Sequence, residues 1–153
     1  MSNLLVQNIK HTNNTSAQTI DTSGRTTAVL NNDTTYRSDS GAVTQNMVQG
    51  LAKCWFVFDA TGTPSIDDSF NASSLDDDGT GQFGIHYTNN FATAHQSLGG
   101  DSTDGNASST MRTINFHTAT TSTVDMDTWF ISSGSAGQND PDHNRGASFG
   151  DLA

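Results

Sequence analysis

The sequence contains no glutamate: all 16 acidic residues are aspartate, against only 6 lysines and arginines, for a net charge of −10. Glu, Lys, Arg and Leu fill helices at low entropic cost, and their scarcity excludes a helical bundle. The single cysteine, Cys54, excludes an intramolecular disulfide and a cysteine-based zinc site. No stretch approaches the ~18 apolar residues of a membrane-spanning helix. The start, Met1-Ser2-Asn3-Leu4-Leu5-Val6, lacks the basic and long apolar segments of an export signal. The expectation is therefore a soluble protein made in the cytoplasm, with no membrane partner. The six cations, Lys10, Arg25, Arg37, Lys53, Arg112 and Arg145, are scattered through an acidic chain, which argues against nucleic-acid binding.

Leu, Ile, Val and Phe are also scarce, 27 of 153 residues, near the level at which a charged chain fails to fold. Order is rescued by clustering, since nine of the twelve aromatics fall within Leu51 to Phe58, Phe83 to Phe91, Met111 to Phe116 and Val124 to Ile131. A core this thin leaves a lone copy marginally stable and calls for a device such as oligomerisation. Thr, Ser, Asn and Gly make up 68 residues, types that favour strands, caps and turns. A chain of 153 residues has room for one ordinary domain with appendages.

Residues 1–49 hold one strand-like run, Leu4 to Ile9, in otherwise polar sequence, and read as an extended arm for docking and assembly anchored by Leu4, Leu5, Val6 and Ile9. At about 3.3 Å per residue, roughly thirty extended residues reach on the order of 100 Å. Residues 50–153 read as the folded domain. Its densest apolar run, Leu51 to Phe58, has apolar side chains at both parities and reads as a central strand buried on two faces. Ser65 to Asn71 follows as a short or edge strand. In Phe83 to Thr88, Phe83, Ile85 and Tyr87 alternate with Gly84, His86 and Thr88, the pattern of a half-buried strand.

Leu98 to Ser109 reads as a long polar loop, Ile114 and Phe116 mark another strand, and Ser122 to Ile131 the last. There the apolar parity changes between Val124/Met126 and Trp129/Ile131, which suggests a bulge. Ser132 to His143 reads as polar turn. The expected fold is all-β, an antiparallel β-sandwich or open barrel, jelly-roll-like, with an extended N-terminal arm. Its expected core is Trp55, Phe56, Phe58, Phe70, Ile85, Tyr87, Ile114, Phe116, Trp129 and Phe130.

Candidate chemistry is sparse. Asp76-Asp77-Asp78-Gly79-Thr80-Gly81 invites a calcium reading, but in EF-hand register the bidentate Glu position is Tyr87, so a solvated hairpin turn is the better account. The histidines His11, His86, His95, His117 and His143 form no HxH or HxxxH pair. His86 and His117 have polar-face parity and would meet only across a sheet or a symmetry axis. No G-x-S-x-G elbow is present, and Cys54 reads as a small buried hydrophobe. The chain is expected to be no enzyme, with no catalytic residues, cofactor or metal.

Lys53-Cys54-Trp55-Phe56-Val57-Phe58-Asp59-Ala60-Thr61-Gly62-Thr63, Asp68-Ser69-Phe70-Asn71-Ala72-Ser73-Ser74 and Asp78-Gly79-Thr80-Gly81-Gln82-Phe83 resemble a module recurrent in tail-fibre and virion-decorating proteins of tailed bacteriophages, aquatic ones above all. The opening from Leu5 to Arg25 and the ending Phe149 to Ala153 are similar to the ends of such proteins. Cys54 stands where a small residue is usual, Ala60 where Gly is, and Phe83 where Tyr is. The resemblance implies a non-enzymatic structural protein of the virion, commonly trimeric, with the major capsid or a tail protein as partner. With no shaft before the module, a head-decorating (cement) subunit or short fibre is expected. The alternative is a receptor-binding module that recognises host surface glycan through the loops Gly99 to Ser109 and Ser133 to Arg145.

Overall fold

The computed structural model describes residues 8–10, 16–28, 30, 34–37, 44–105 and 110–153, and the chain divides into two compact units, Met1–Val48 and Gln49–Ala153. In the first, β1 (Asn8–Lys10), β2 (Ser16–Ile20) and β3 (Thr26–Ala28) form one antiparallel sheet, and β4 (Thr35–Arg37) and β5 (Thr44–Asn46) a two-stranded one. The stretch expected to be an extended arm thus consists, where described, of short paired strands. Asp21 sets the turn after β2, its Oδ1 accepting from the backbone N–H groups of Ser23 (2.8 Å) and Arg25 (2.9 Å). The anchors Leu4, Leu5 and Val6 lie outside the described residues; Ile9 sits in β1 opposite Gln18.

The second unit is all-β. Its strands are β6 (Cys54–Asp59), β7 (Ser65–Phe70), β8 (Ala72–Gly79), β9 (Gln82–Tyr87), β10 (Ser97–Thr103), β11 (Met111–Ala119), β12 (Thr123–Ser132), β13 (Ser135–Gln138) and β14 (His143–Phe149). One antiparallel sheet runs β10-β14-β6-β7, the other β11-β12-β9-β8 with β13 added beside β12. Neither closes on itself, so of the two expected forms the sandwich is the one observed. The hairpin pairs β6/β7, β8/β9 and β11/β12 each stay within one sheet.

The core lies between the sheets. Cys54, Phe56, Phe58 and Ala60 come from one side, and Phe83, Ile85, Tyr87, Val124 and Met126 from the other, all buried together with Phe91. Phe58 meets Phe83 edge-on across the gap, with ring centroids 5.2 Å apart. Ile66, Leu75, Leu98, Ile114 and Phe116 pack half-buried around this centre. Two glycines make room for rings. Gly146 lies opposite Phe56 and Gly100 opposite Gly146, and a Cβ on Gly146 would collide with the Phe56 ring, one on Gly100 with the Arg145 carbonyl and the edge of Phe116.

The passage from one sheet to the other between β7 and β8 takes a single residue, Asn71, at φ 64°. Asn tolerates this left-handed conformation better than other non-glycine residues. Its Nδ2 donates to the carbonyls of Lys53 (2.9 Å) and Asn89 (3.0 Å), and its Oδ1 accepts from the Asn89 amide (2.7 Å), so the corner is pinned to two other segments.

Several expectations are corrected. Trp55, Phe70 and Trp129 are not core: they lie on outer faces, exposed by 38%, 53% and 36%. Phe130 is half-buried at one end of the sandwich beneath Arg112, whose Cζ is 5.7 Å from the ring centroid. The parity change in β12 is no bulge in that strand. Val124, Met126 and Thr128 keep strict alternation inward while Trp129 and Ile131 face out, and the register shift falls in β11 between Phe116 and Thr118. β6 is central, as expected, but among the described residues of its unit only one of its faces is covered. Segments read as loop contain strands, β10 in Leu98 to Ser109 and β13 in Ser132 to His143, because pairing with β14 and β12 satisfies backbone groups whatever the side chains.

Candidate interaction surfaces and cleft

The outer face of the β10-β14-β6-β7 sheet is built by the alternate residues of strands whose other side chains form the core. Trp55 stands directly opposite Phe70 on one side and Ala147 on the other, with Gly99 beyond. Phe149 is opposite Ser97 and 36% exposed, and Leu51, just before β6, is exposed as well. The next row is charged: Val57 lies between Asp68 and Arg145, and Arg145 Nη1 is 3.2 Å from Asp101 Oδ2. A row of large apolar side chains with a polar border is the usual anatomy of a protein contact surface.

The outer face of the other sheet has an apolar end and a polar end. At the first, exposed Met111 lies opposite exposed Ile131, and Thr113 opposite Trp129. At the second, His86 Nε2 is 2.5 Å from Asp76 Oδ2, and His117 Nε2 is 3.6 Å from Asp127 Oδ1. The two histidines share a face but each has its own aspartate. Such exposed pairs contribute about 0–1 kcal/mol each. Among the described residues no group of three or more His, Cys or Asp is placed to hold a metal ion. The acidic run Asp76 to Asp78 belongs to the β8/β9 hairpin, where Asp77 Oδ1 accepts from the Gly79 amide at 3.2 Å and Gly79 and Gly81 take positive φ.

A cleft of about 310 Å³ is lined by Gln49, Thr93, His95, Ser97, Phe149, Gly150 and Asp151. Its walls are tied together. The Ala92 amide donates to the Asp151 carbonyl (2.7 Å), the Ala153 amide to the Asn90 carbonyl (2.9 Å), and Phe91 bridges Leu152. Gln49 Nε2 donates to the Asp151 carboxylate at 3.3 Å. Beside it, burial pushes the Lys53 ammonium below the ordinary lysine range, with the Asp151 charge opposing the shift. Lys53 Nζ donates to the Leu51 carbonyl at 2.8 Å.

Two further groups are displaced by burial: the Cys54 thiol, pushed up to about 12, and the Tyr87 phenol, also raised to about 12. Cys54 is therefore a neutral thiol at pH 7, which suits the packing role read from sequence. Tyr87 donates to Gln96 Oε1 at 2.7 Å. The cleft residues escaped sequence reading because they lie in three distant segments with no shared motif. The outer-face aromatics were noticed but assigned inward.

No family model, curated protein or solved structure matches the chain.

Proposed function

We propose that the chain is a non-enzymatic structural subunit of a bacteriophage particle, a head-decorating or short-fibre protein that forms a homotrimer and docks on the major capsid or a tail protein through residues 1–49. The observation that carries the reading is the Trp55–Phe70 row, two large exposed aromatic residues paired across neighbouring strands on an outer sheet surface. A thin core beside such a surface suits a fold that is completed on assembly. Standard protein interfaces bury about 1,600 Å², and at ~25 cal/mol per Å² even their apolar part is large beside a marginal domain's stability.

The resembling stretch from Lys53 to Phe83 supports the same role, since its residues serve architecture. Asp59 caps a turn by accepting from the Thr61 amide (2.7 Å), Asn71 makes the corner and Gly79-Thr80-Gly81 the hairpin. The glycan reading attached to Gly99–Ser109 and Ser133–Arg145 is less well supported, because much of both segments is strand and neither contains Phe, Tyr or Trp.

Native mass spectrometry of the full chain at micromolar concentration is expected to give three times 16.2 kDa. A cryo-EM map of the particle is expected to hold the sandwich against the shell or tail. A strictly monomeric chain missing from purified particles would sink the proposal.

A further inference from the structure

We propose that the cleft between residues 93–97 and 149–151 is a binding site for a neutral saccharide unit. It lies apart from the Gly99–Ser109 and Ser133–Arg145 segments, and the inference does not depend on the assembly reading.

The volume, about 310 Å³, is at the lower end of the ~300–1,000 Å³ range of small-ligand sites, enough for one or two rings and too small for a folded partner. The lining is one aromatic ring among groups that both donate and accept. Phe149, 36% exposed, stands opposite Ser97 on the neighbouring strand, so ring and hydroxyl lie side by side. Around them Gln49 offers a carboxamide, Thr93 a hydroxyl, His95 an imidazole and Asp151 a carboxylate. A pyranose has the complementary chemistry, an apolar C–H face for the ring and a rim of hydroxyls for the polar groups.

Charge bears on the ligand class. Asp151 is the one acidic side chain among the residues lining the cleft, and its carboxylate already accepts from Gln49 Nε2 at 3.3 Å within the wall. No lysine or arginine is among the lining residues to draw an anion. The walls are also preorganised. The Ala92 and Ala153 amide bonds fasten the chain's end to residues 90–92, and Gln96 Nε2 donates to the Thr120 carbonyl at 2.7 Å, which holds the segment carrying His95 and Ser97. Little ordering entropy remains to be lost on binding.

The test uses the full chain and saturation-transfer NMR with methyl α-mannoside, methyl β-galactoside and N-acetylglucosamine at millimolar concentration, followed by an array of microbial glycans. At least one sugar is expected to bind and to shift the Thr93, Ser97 and Gly150 amide resonances. Phe149→Ala should weaken binding by roughly tenfold while Phe149→Tyr retains it, as expected for a ring at the centre of a contact. His95→Ala, at an exposed position, gives a second reading should Phe149→Ala lose its thermal transition. The inference is overturned if no sugar shifts these amides, if binding survives both alanine variants, or if acetate or methylammonium binds more tightly than every sugar. A monomeric chain that binds sugar would defeat the assembly proposal and leave this one standing.

Discussion

The two faces of β6 carry aromatic side chains with opposite fates. Phe56 and Phe58 are 1% and 0% exposed, whereas Trp55, immediately before them, is 38% exposed although it is the largest of the three. The inner face meets a second sheet, and the glycines at 100 and 146 let the inner rings lie close to the backbone. The outer face meets nothing else among the described residues of its unit. Burial is thus set by what a strand faces, and the same aromatic chemistry stabilises the fold on one side and remains available for contact on the other.

The most severe break in this comparison should come from filling the inner face. Gly146→Ala places a methyl against the Phe56 ring and is expected to cost about 3 kcal/mol, at the upper end of overpacking penalties. Chemical denaturation would measure it. Adding Phe56→Leu should recover part of the loss, giving a total smaller than the sum of the single changes.

Next is the corner that turns β7 into β8. Asn71→Ala loses the bonds to Lys53 and Asn89 and leaves a non-glycine residue at φ 64°, for an expected loss of about 2 kcal/mol. Asn71→Gly relieves the backbone but not the lost bonds, and should fall between wild type and Asn71→Ala in thermal melting.

A smaller effect should follow from alkaline pH. Burial raises the Cys54 thiol from 9.0 to about 12 and the Tyr87 phenol from 10.0 to about 12, so above pH 9 the folded state binds more protons than the unfolded one. Stability should be fully present below pH 9 and decline as pH rises toward 12. The lowered Lys53 works in the opposite sense below 10.5. Melting temperatures at pH 8 and pH 11 would show the decline, and Cys54→Ala should make it shallower. An equal slope in wild type and variant would remove the thiol from the account.

The outer face should respond least. Trp55→Ser and Phe70→Ser are each expected to change unfolding free energy by about 0.5 kcal/mol or less, as surface substitutions do. On the assembly proposal the same changes should lower the mass seen by native mass spectrometry. A large stability loss with unchanged mass would reverse the comparison and make Trp55 a core residue after all.

Much of the fold was legible in local signals. Alternation marked β9 through Phe83, Ile85 and Tyr87, apolar density marked β6, and the Asp76–Gly81 run marked a hairpin turn. The misreadings share one origin. Apolar residues at both parities in β6 and β12 were read as two-sided burial or a bulge, whereas Trp55, Trp129 and Ile131 point outward along uninterrupted alternation. β10 was missed because Ser97-Leu98-Gly99-Gly100-Asp101 resembles a loop in every local respect, and only its pairing with β14 makes it a strand. The cleft has no local signature, since Gln49, His95 and Asp151 meet through the closing of the chain's end onto residues 90–92.

By itself, the amino-acid order determined the all-β class, the positions of the apolar strands and the chemistry of the turns, because backbone preference and period-two alternation act over a few residues. Tertiary structure alone decided which face of β6 and β12 is covered, that polar segments complete the sheets as β10 and β13, and that distant side chains line one cleft. Those outcomes depend on which strands come to lie beside or across one another, and pairing between remote segments leaves no mark on the residues near either partner.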